Sequence, residues 1–200
     1  MEPPKPADPR KRPRQRRSRA TVEFLVTATE RLLEQSGTPG ATTNRIAEVA
    51  GVSIGSLYQY FPNKDSLIET VRERHRERWG ERAEPEIERL AQLPLPEAAR
   101  ALVDLALALH RDSLRLHNAL AHDEPRLAPE FQERWLPVAV AYLEAHRSEI
   151  RPTNRELAAR IALEVLEALT HGVALRAPEL LADEEYAQEL TQLLLRYLEK

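Results

Sequence analysis

Side chains that can hydrogen-bond an anionic partner are concentrated in residues 53–60, which read Ser-Ile-Gly-Ser-Leu-Tyr-Gln-Tyr. Hydroxyl groups, an amide and phenols can bind phosphate oxygens or the edges of bases. The segment contains no aspartate or glutamate, and an acidic side chain here would be repelled by a polyanion. The segment therefore indicates a surface that faces nucleic acid.

Two short helices are expected to position these side chains. Thr42 or Thr43 should cap the first helix. Gly51 should end it in a left-handed conformation, which glycine adopts at little cost. Ser53 should then cap the second helix, so that the polar segment begins at a helix start.

The second helix has one apolar side. Leu57 and Phe61 should be buried, which leaves facing outward or at the helix start Ile54, Gly55, Ser56, Tyr58, Gln59 and Tyr60. The spacing of Ala47, Gly51 and Leu57 is typical of a helix-turn-helix DNA-binding motif. Two short helices that simply pack in a core are the alternative interpretation of this pattern.

The quoted residues resemble the tetracycline-repressor (TetR/AcrR-type) family of transcriptional regulators. The resemblance rests on Thr43-Asn44-Arg45-Ile46-Ala47, on Ala50-Gly51-Val52-Ser53 and on the run Leu57–Leu67, and in detail it covers about residues 18–72. It implies an all-α fold with an N-terminal three-helix DNA-binding domain, followed by a helical ligand-binding and dimerisation domain. It also implies a homodimeric repressor that a small-molecule effector releases from a palindromic double-stranded DNA operator. An activator of the same family is the alternative.

The resemblance assigns DNA contacts residue by residue. It implies phosphate contacts by Thr43, Tyr60 and Lys64. Contacts to bases or adjacent phosphates are implied for Arg45, Ser53, Ile54, Gly55, Ser56, Tyr58 and Gln59. Among these, the Gln59 amide suits adenine, the Ile54 methyl groups suit a thymine methyl group, and Gly55 lets the helix approach closely.

A basic run precedes the first helix. Its arm residues are Arg14, Arg16, Arg17 and Arg19, which are expected to lie on phosphates or to enter a minor groove. The run lacks apolar residues, so we expect it to be disordered when free. A solubilising tail is the alternative.

Charge is divided unevenly along the chain, although the formal net charge is only −3. Residues 1–79 contain 15 basic and 10 acidic residues, a balance of +5, whereas residues 80–200 contain 14 and 22, a balance of −8. Such asymmetry indicates a polyanion partner for the positive part.

Apolar residues recur at helical spacing along almost the whole chain, and strand patterns are nearly absent. We expect about nine helices. They follow a basic arm of residues 1–17 and form a DNA-binding domain of residues 18–80, with its motif at about 42–61, and an effector-binding and dimerisation domain of residues 81–200.

Prolines and caps predict where the later helices begin and end. Asn63 should cap the helix that follows the motif, and Pro85 with the Pro94–Pro96 segment should end that region. Residues 97–120 should be helical and buried, because they are apolar nearly all round. Pro137 should kink the helix that contains it.

Polar and aromatic groups on apolar helices mark a candidate effector pocket. Its predicted lining is His110, Leu114, His117, Phe131, Trp135, Tyr142 and His171. Convergent polar groups in an apolar cavity are typical of small-molecule sites. For each of these residues alone, a satisfied core histidine or a packed aromatic side chain is the alternative.

The last two long helices carry apolar residues on more than one face. They can therefore pack against the core of their own chain and against a partner chain at the same time. The predicted dimer interface is Val165, Leu169, Gly172, Val173, Leu190, Leu194 and Tyr197. Gly172 lies in mid-helix, where glycine costs ~1 kcal/mol relative to alanine, and close approach of a partner helix would explain it. A bend or a helix end before Pro178 is the alternative.

The composition excludes several functions. The chain has no cysteine, which excludes disulfides, Cys-ligated metals and a thiol nucleophile and fits a cytoplasmic protein. Glycine-rich phosphate loops, GxSxG and HExxH are absent, and no His pair has metal-site spacing, so we expect no enzyme, cofactor or metal. No apolar run approaches the ~20 residues of a membrane span, so no membrane partner is expected. A nonspecific architectural DNA-binding protein is the remaining alternative.

Overall fold

The computed structural model describes residues 16–120 and 129–200, with side chains described from residue 18 and, after the gap, from residue 133. Within these ranges the fold is all-α: nine α-helices and one 3-10 helix, with no strand. The α-helices are α1 (Arg16–Gly40), α2 (Thr43–Ala50), α3 (Ile54–Tyr60), α4 (Lys64–Leu90), α5 (Leu95–Asp112), α6 (Leu114–Leu120), α7 (Pro129–Ala145), α8 (Arg155–Arg176) and α9 (Glu184–Leu198). The 3-10 helix, Pro178–Ala182, lies between α8 and α9. None of the described helices is long and apolar enough to span a bilayer.

The described chain divides into two compact units. The first contains residues 16–79 and 115–120, and the second contains residues 80–114 and 129–200. The sequence-based division places all of residues 81–200 in the second domain. The structure instead assigns 115–120 to the first unit, because Leu116 and Leu120 pack into its core.

The core of the first unit holds α2 and α3 in place. It joins Leu25 and Leu32 of α1, Ile46 of α2, Leu57 of α3 and Leu67 of α4, all of which are almost fully buried. Burying a leucine or isoleucine side chain stabilises a fold by ~1.5–3 kcal/mol. Apolar packing therefore fixes the inner side of the helix-turn-helix segment, and its outer side remains available for binding a partner.

A buried carboxylate joins α1 to α4 in the same unit. Glu30 is 8% exposed and accepts a hydrogen bond from Arg78 at 3.0 Å, with the Nε of Arg74 at 3.7 Å. Arg74 also pairs with Glu23 at 2.5 Å. The two helices therefore have a defined rotation about their axes, since a buried carboxylate must keep its cationic partners.

The second unit has two adjoining apolar clusters. One contains Leu95, Leu143 and Leu198, and the other contains Val103 and Leu166. Helix α5 packs against α8 and α9, and α7 packs against α8. The core of this unit is therefore formed between several packed helices.

Two predicted helix boundaries are wrong. Helix α4 continues through Pro85 to Leu90, because Pro85 lies on the exposed side, where solvent can bond the carbonyl that the missing amide leaves. Residues 97–120 form two helices rather than one, since α5 ends at Asp112 and Ser113 separates it from α6.

Candidate functional site

Helix α2 begins and ends at the residues that its local chemistry requires. Thr42, rather than Thr43, is the N-cap, and its hydroxyl accepts a hydrogen bond from the Arg45 amide at 3.4 Å. Gly51 ends the helix with φ 68°, in the left-handed region. A Cβ at Gly51 would meet no atom within 4 Å, so the backbone angle, not the available space, requires glycine.

Ser53 is the N-cap of helix α3, as predicted. The Ser53 hydroxyl accepts a hydrogen bond from the Ser56 amide at 3.1 Å, and the two hydroxyl groups lie 2.8 Å apart. Leu57 and Phe61 are 0% and 1% exposed, so the predicted inner side is confirmed. These contacts fix the direction in which the opposite side of α3 faces.

The outer side of α3 combines polar and apolar groups without an acid. Ile54 is 39% exposed and Tyr58 is 45% exposed, and Gly55 and Gln59 are also exposed. Tyr60 is only partly exposed, because it also packs against the core of the first unit. This surface offers an amide, a phenol and methyl groups to a partner, with no side chain that would repel phosphate.

Helices α2 and α3 bring two hydroxyl groups together. The Thr43 hydroxyl and the Tyr58 hydroxyl lie 3.3 Å apart, although 15 residues separate them. Thr43 is the first residue of α2, where backbone amides lack helical acceptors. The pair therefore places polar groups from both helices on one surface next to a positive helix end, an arrangement that suits phosphate.

Arg45 and Lys64, the two cationic residues outside the arm that are predicted to contact DNA, both hydrogen-bond backbone carbonyls near the end of α1. Arg45 Nη1 donates to the Gly40 carbonyl at 3.0 Å, and Lys64 Nζ donates to the Thr38 carbonyl at 3.2 Å. Each group keeps further N–H donors beyond this one hydrogen bond, because a guanidinium carries five and an ammonium three. Both cations therefore stay at the edge of the α2–α3 surface. Of the arm residues, Arg19 is exposed, while Arg14 and the side chains of Arg16 and Arg17 lie outside the described residues.

The second unit contains an apolar cavity of roughly 120 Å³ that is partly open to solvent. Helices α4, α5, α7, α8 and α9 all contribute to its lining, which is Ile87, Leu90, Ala91, Leu95, Ala98, Ala99, Leu102, Trp135, Val138, Ala139, Tyr142, Leu143, Ala159, Ala162, Leu163, Leu194 and Leu198. No charged side chain is among them. The described side chains that line the cavity are therefore apolar apart from the Trp135 indole N–H and the Tyr142 hydroxyl.

Two of the residues predicted to line an effector pocket, Trp135 and Tyr142, contribute to this cavity, and the side chain of Phe131 lies outside the described residues. His110, Leu114 and His171 do not line it, and the His110 and His171 ring centroids lie 6.2 Å apart in the second unit. His117 belongs to the first unit, where it stacks on Trp79 at 5.4 Å. Which of these residues meet an effector stays a prediction.

His110 is a buried core residue. It is 1% exposed, and its Nδ1 lies 2.9 Å from the Ala106 carbonyl, which is a hydrogen bond that Nδ1–H donates. Burial lowers its pKa from 6.5 to about 4, which outweighs the opposing effect of that hydrogen bond. The ring is therefore neutral near pH 7.

We expect His110 to make the protein less stable as the pH falls. Below pH 6.5 the His110 imidazole binds a proton in the unfolded chain, whereas in the folded protein it stays neutral until about pH 4. Acid therefore favours unfolding. The loss attributable to this one group is about 2 kcal/mol between roughly pH 7 and pH 5. Urea unfolding of wild type and His110→Gln at both values measures it. An equal pH dependence in the two proteins would contradict this assignment.

The predicted dimer interface is partly corrected. Leu190 and Leu194 are 3% and 4% exposed in the core of their own chain, so they cannot present side chains to a second copy. Val165, Val173 and Tyr197 are partly buried, and Leu169 is 38% exposed. Leucines on α8 and α9 that the prediction omitted are more exposed: Leu157, Leu175 and Leu193, at 51%, 43% and 48%.

Gly172 is buried in α8. A Cβ at this position would lie 2.6 Å from Nη2 of Arg176, one turn further along the helix. Because this atom is the end of a flexible side chain that can move away, the contact does not by itself require glycine.

Comparison with known proteins agrees with both units. The family model described as bacterial regulatory proteins, tetR family, matches residues 25–71, and the model of the tetracyclin repressor-like C-terminal domain matches residues 94–198. A curated relative, the HTH-type transcriptional regulator BetI of Burkholderia cenocepacia, is 39% identical over 57 residues, which is 28% of this chain and 29% of the relative. The chain thus matches less than a third of the length of that relative.

Solved structures share the fold over nearly the whole chain. NalD of Pseudomonas aeruginosa, the secondary repressor of the MexAB-OprM multidrug efflux pump, has a TM-score of 0.60 and 22% identity, over 92% of this chain and 98% of its own. A TetR-family transcriptional regulator from Streptomyces coelicolor has a TM-score of 0.57 and 23% identity, over 88% and 96%. At these identities the likeness extends to the fold and no further.

Proposed function

Because this chain belongs to the TetR family of bacterial regulatory proteins, and is thus a DNA-binding transcriptional regulator, we propose that it is a repressor. Two copies bind a palindromic operator in the bacterial cytoplasm and leave it when a small molecule binds in the second unit. The observation that carries the proposal is the acid-free outer side of α3, which is exposed while Leu57 and Phe61 anchor the inner side.

In this proposal α3 lies in the major groove. The exposed Gln59 amide hydrogen-bonds a base edge, the Ile54 methyl groups contact a thymine methyl group, and Gly55 lets the backbone approach. The Thr43–Tyr58 hydroxyl pair and the start of α2 bind a phosphate. Lys64 and Tyr60 contribute further phosphate contacts, with Arg45, Ser53 and Ser56 at the same surface.

A selection of bound fragments from random double-stranded DNA tests the proposal. The expected operator is a near-palindrome whose half-sites are about one turn, ~34 Å, apart. Recovery of fragments with no shared sequence would refute it and would favour a nonspecific architectural protein. Operator-dependent repression of a reporter, relieved by an added small molecule, distinguishes a repressor from an activator.

We expect Gln59→Ala and Lys64→Ala to weaken operator binding in different ways. Loss of a base contact at Gln59 relaxes the preference at one operator position, at ~1–3 kcal/mol of discrimination. Loss of a phosphate contact at Lys64 weakens all sequences alike and lowers the salt dependence. Binding to every single-substitution operator at two salt concentrations measures both effects. The reverse pattern would overturn the two assignments.

Exposed leucines on the last two long helices support a dimer. Leu157 and Leu175 lie on one side of α8, because 18 residues are five complete turns, and Leu193 is exposed on α9. Large apolar side chains that stay exposed along one side of a helix are available for a partner to cover. A second copy of the chain places two α3 helices on one operator.

We expect Leu193→Asp to weaken dimerisation at least tenfold, because the partner would bury an unpaired carboxylate. Sedimentation over a range of protein concentrations measures the change, and operator affinity should fall with it. Ala141→Asp places the same charge on the exposed side of α7 and serves as the matched control. A Leu193→Asp protein that dimerises like the control would place the interface elsewhere.

A further inference from the structure

We propose that the effector is an uncharged, predominantly hydrocarbon molecule about the size of a single six-membered ring, bound in the cavity of the second unit. That the bound molecule acts as an effector rests on the proposed function, whereas its chemical class is inferred from the cavity alone. The inferred class is neutral molecules, and it excludes organic anions and cations.

The lining supplies no partner for a charge. Leu90, Leu95, Leu102, Leu163 and Leu198 surround the cavity, and the side chains that line it in the described part of the chain include no lysine, arginine, histidine, aspartate or glutamate. Taking an ion out of water without an opposite charge or hydrogen bonds is strongly unfavourable. A ligand whose charged group entered the cavity would therefore bind far more weakly than a neutral one of the same shape.

The phenol of Tyr142, which contributes to the cavity lining, already makes a hydrogen bond within the protein. The Tyr142 hydroxyl donates to the Leu93 carbonyl at 2.9 Å, and Leu93 is not part of the lining. Burial raises the pKa of Tyr142 to about 12, so the phenol stays neutral at physiological pH. Tyr142 therefore offers its ring to the cavity, and a ligand that needs its hydroxyl would have to break an existing hydrogen bond.

Arg134, next to the cavity residue Trp135, is paired with a carboxylate that does not line the cavity. The Arg134 guanidinium lies over the Trp135 ring at 5.1 Å and is paired with Glu84 at 2.6 Å. Trp135 contributes to the lining and is 7% exposed, whereas Arg134 does not contribute. The guanidinium therefore holds the ring in place and provides no counter-ion for a carboxylate.

Alanines on three helices create the empty space. Ala99 of α5, Ala139 of α7 and Ala159 of α8 all border the cavity, where longer side chains would fill it. An engineered cavity of about 150 Å³ lined by Leu, Ile and Phe stays dry and binds benzene. The cavity of the second unit is partly open, but its apolar lining and its volume of roughly 120 Å³ suit a guest of similar size and chemistry.

Three probes of one shape test the inference: toluene, benzoate and benzylammonium. The chain contains two tryptophans, so Trp79→Phe leaves Trp135, at the cavity, as the only reporter of fluorescence. We expect toluene to change the Trp135 emission with saturation and to bind at least tenfold more tightly than either ion. Equal or tighter binding of an ion, or no saturable binding of toluene, would overturn the inference.

Two variants test the location. Ala139→Leu should abolish toluene binding by filling the cavity, while Ala141→Leu, on the exposed side of the same helix, should leave it unchanged. If Ala139→Leu does not fold, Leu163→Ala gives an independent test, because a larger cavity should bind naphthalene at least tenfold more tightly than wild type does. Unchanged binding in the folded variants would place the toluene elsewhere and overturn the inference.

The DNA measurement is kept separate from the binding measurement. Failure to find an operator would refute the proposed function, yet the fluorescence titrations would still decide the cavity chemistry. Conversely, release of an operator by benzoate or benzylammonium through this cavity would overturn the inference and would uphold the proposed function.

Discussion

We expect Gln59→Glu to lose at least 100-fold in operator affinity while keeping its fold. The substitution removes an amide donor and places a carboxylate on the exposed side of α3, where no acid occurs. Loss of the base contact and repulsion by phosphates together cost about 3 kcal/mol or more, which corresponds to that factor. Gel-shift or fluorescence-anisotropy titration against the selected operator measures it.

Gln92→Glu is the matched control for this prediction. Gln92 is exposed in the second unit and is not among the predicted DNA contacts, so Gln92→Glu makes the same change in net charge without removing a contact. The operator affinity of this variant should stay within about twofold of wild type, because exposed charges are screened by salt. If both variants lost affinity alike, net charge rather than a contact at Gln59 would explain the result.

Leu57→Ala is expected to reduce the free energy of unfolding by about 2–5 kcal/mol. Leu57 is 0% exposed in the core of the first unit, and truncation of a buried leucine removes transfer free energy and leaves a cavity. A domain is stable by only ~5–15 kcal/mol, so the helix-turn-helix would be partly unfolded at moderate denaturant concentrations. Urea unfolding followed by circular dichroism gives the value.

Ile54→Ala separates stability from recognition on the same helix. Ile54 lies one turn before Leu57 and is 39% exposed, so its truncation should change stability by less than ~1 kcal/mol. Operator affinity should nevertheless fall at one thymine position, because a methyl contact is lost. A large stability loss in Ile54→Ala with none in Leu57→Ala would contradict the orientation of α3.

The DNA-facing segment could be predicted because local chemistry specifies it. Gly51 is needed for a left-handed φ, Ser53 caps the helix that follows, and Leu57 begins the buried side one turn later. Each of these signals acts over four residues or fewer, so a single sequence contains them completely. The structure confirms all three, together with the Asn63 cap, whose side chain accepts from the Ser66 amide at 2.9 Å.

The proximity of the Thr43 and Tyr58 hydroxyls could not be predicted in this way. Each residue was assigned a DNA contact separately, and their 3.3 Å separation depends on the angle at which α3 crosses α2. That angle follows from how side chains of both helices pack against α1 and α4. Spacing along the chain carries no such information, because residues 15 apart in two helices can lie on the same or on opposite sides.

The amino-acid sequence by itself determined the all-α fold, the helix-turn-helix and the face that it exposes, because caps, turns and apolar periodicity are local. Only the tertiary structure decided which apolar faces remain uncovered and where space remains inside. Leu193 and Leu194 are adjacent and chemically identical, yet one is 48% exposed and the other 4%. Similarly, Ala99, Leu163 and Leu194 meet at one cavity from three helices. Burial depends on what packs against a residue, and those partners come from distant parts of the chain.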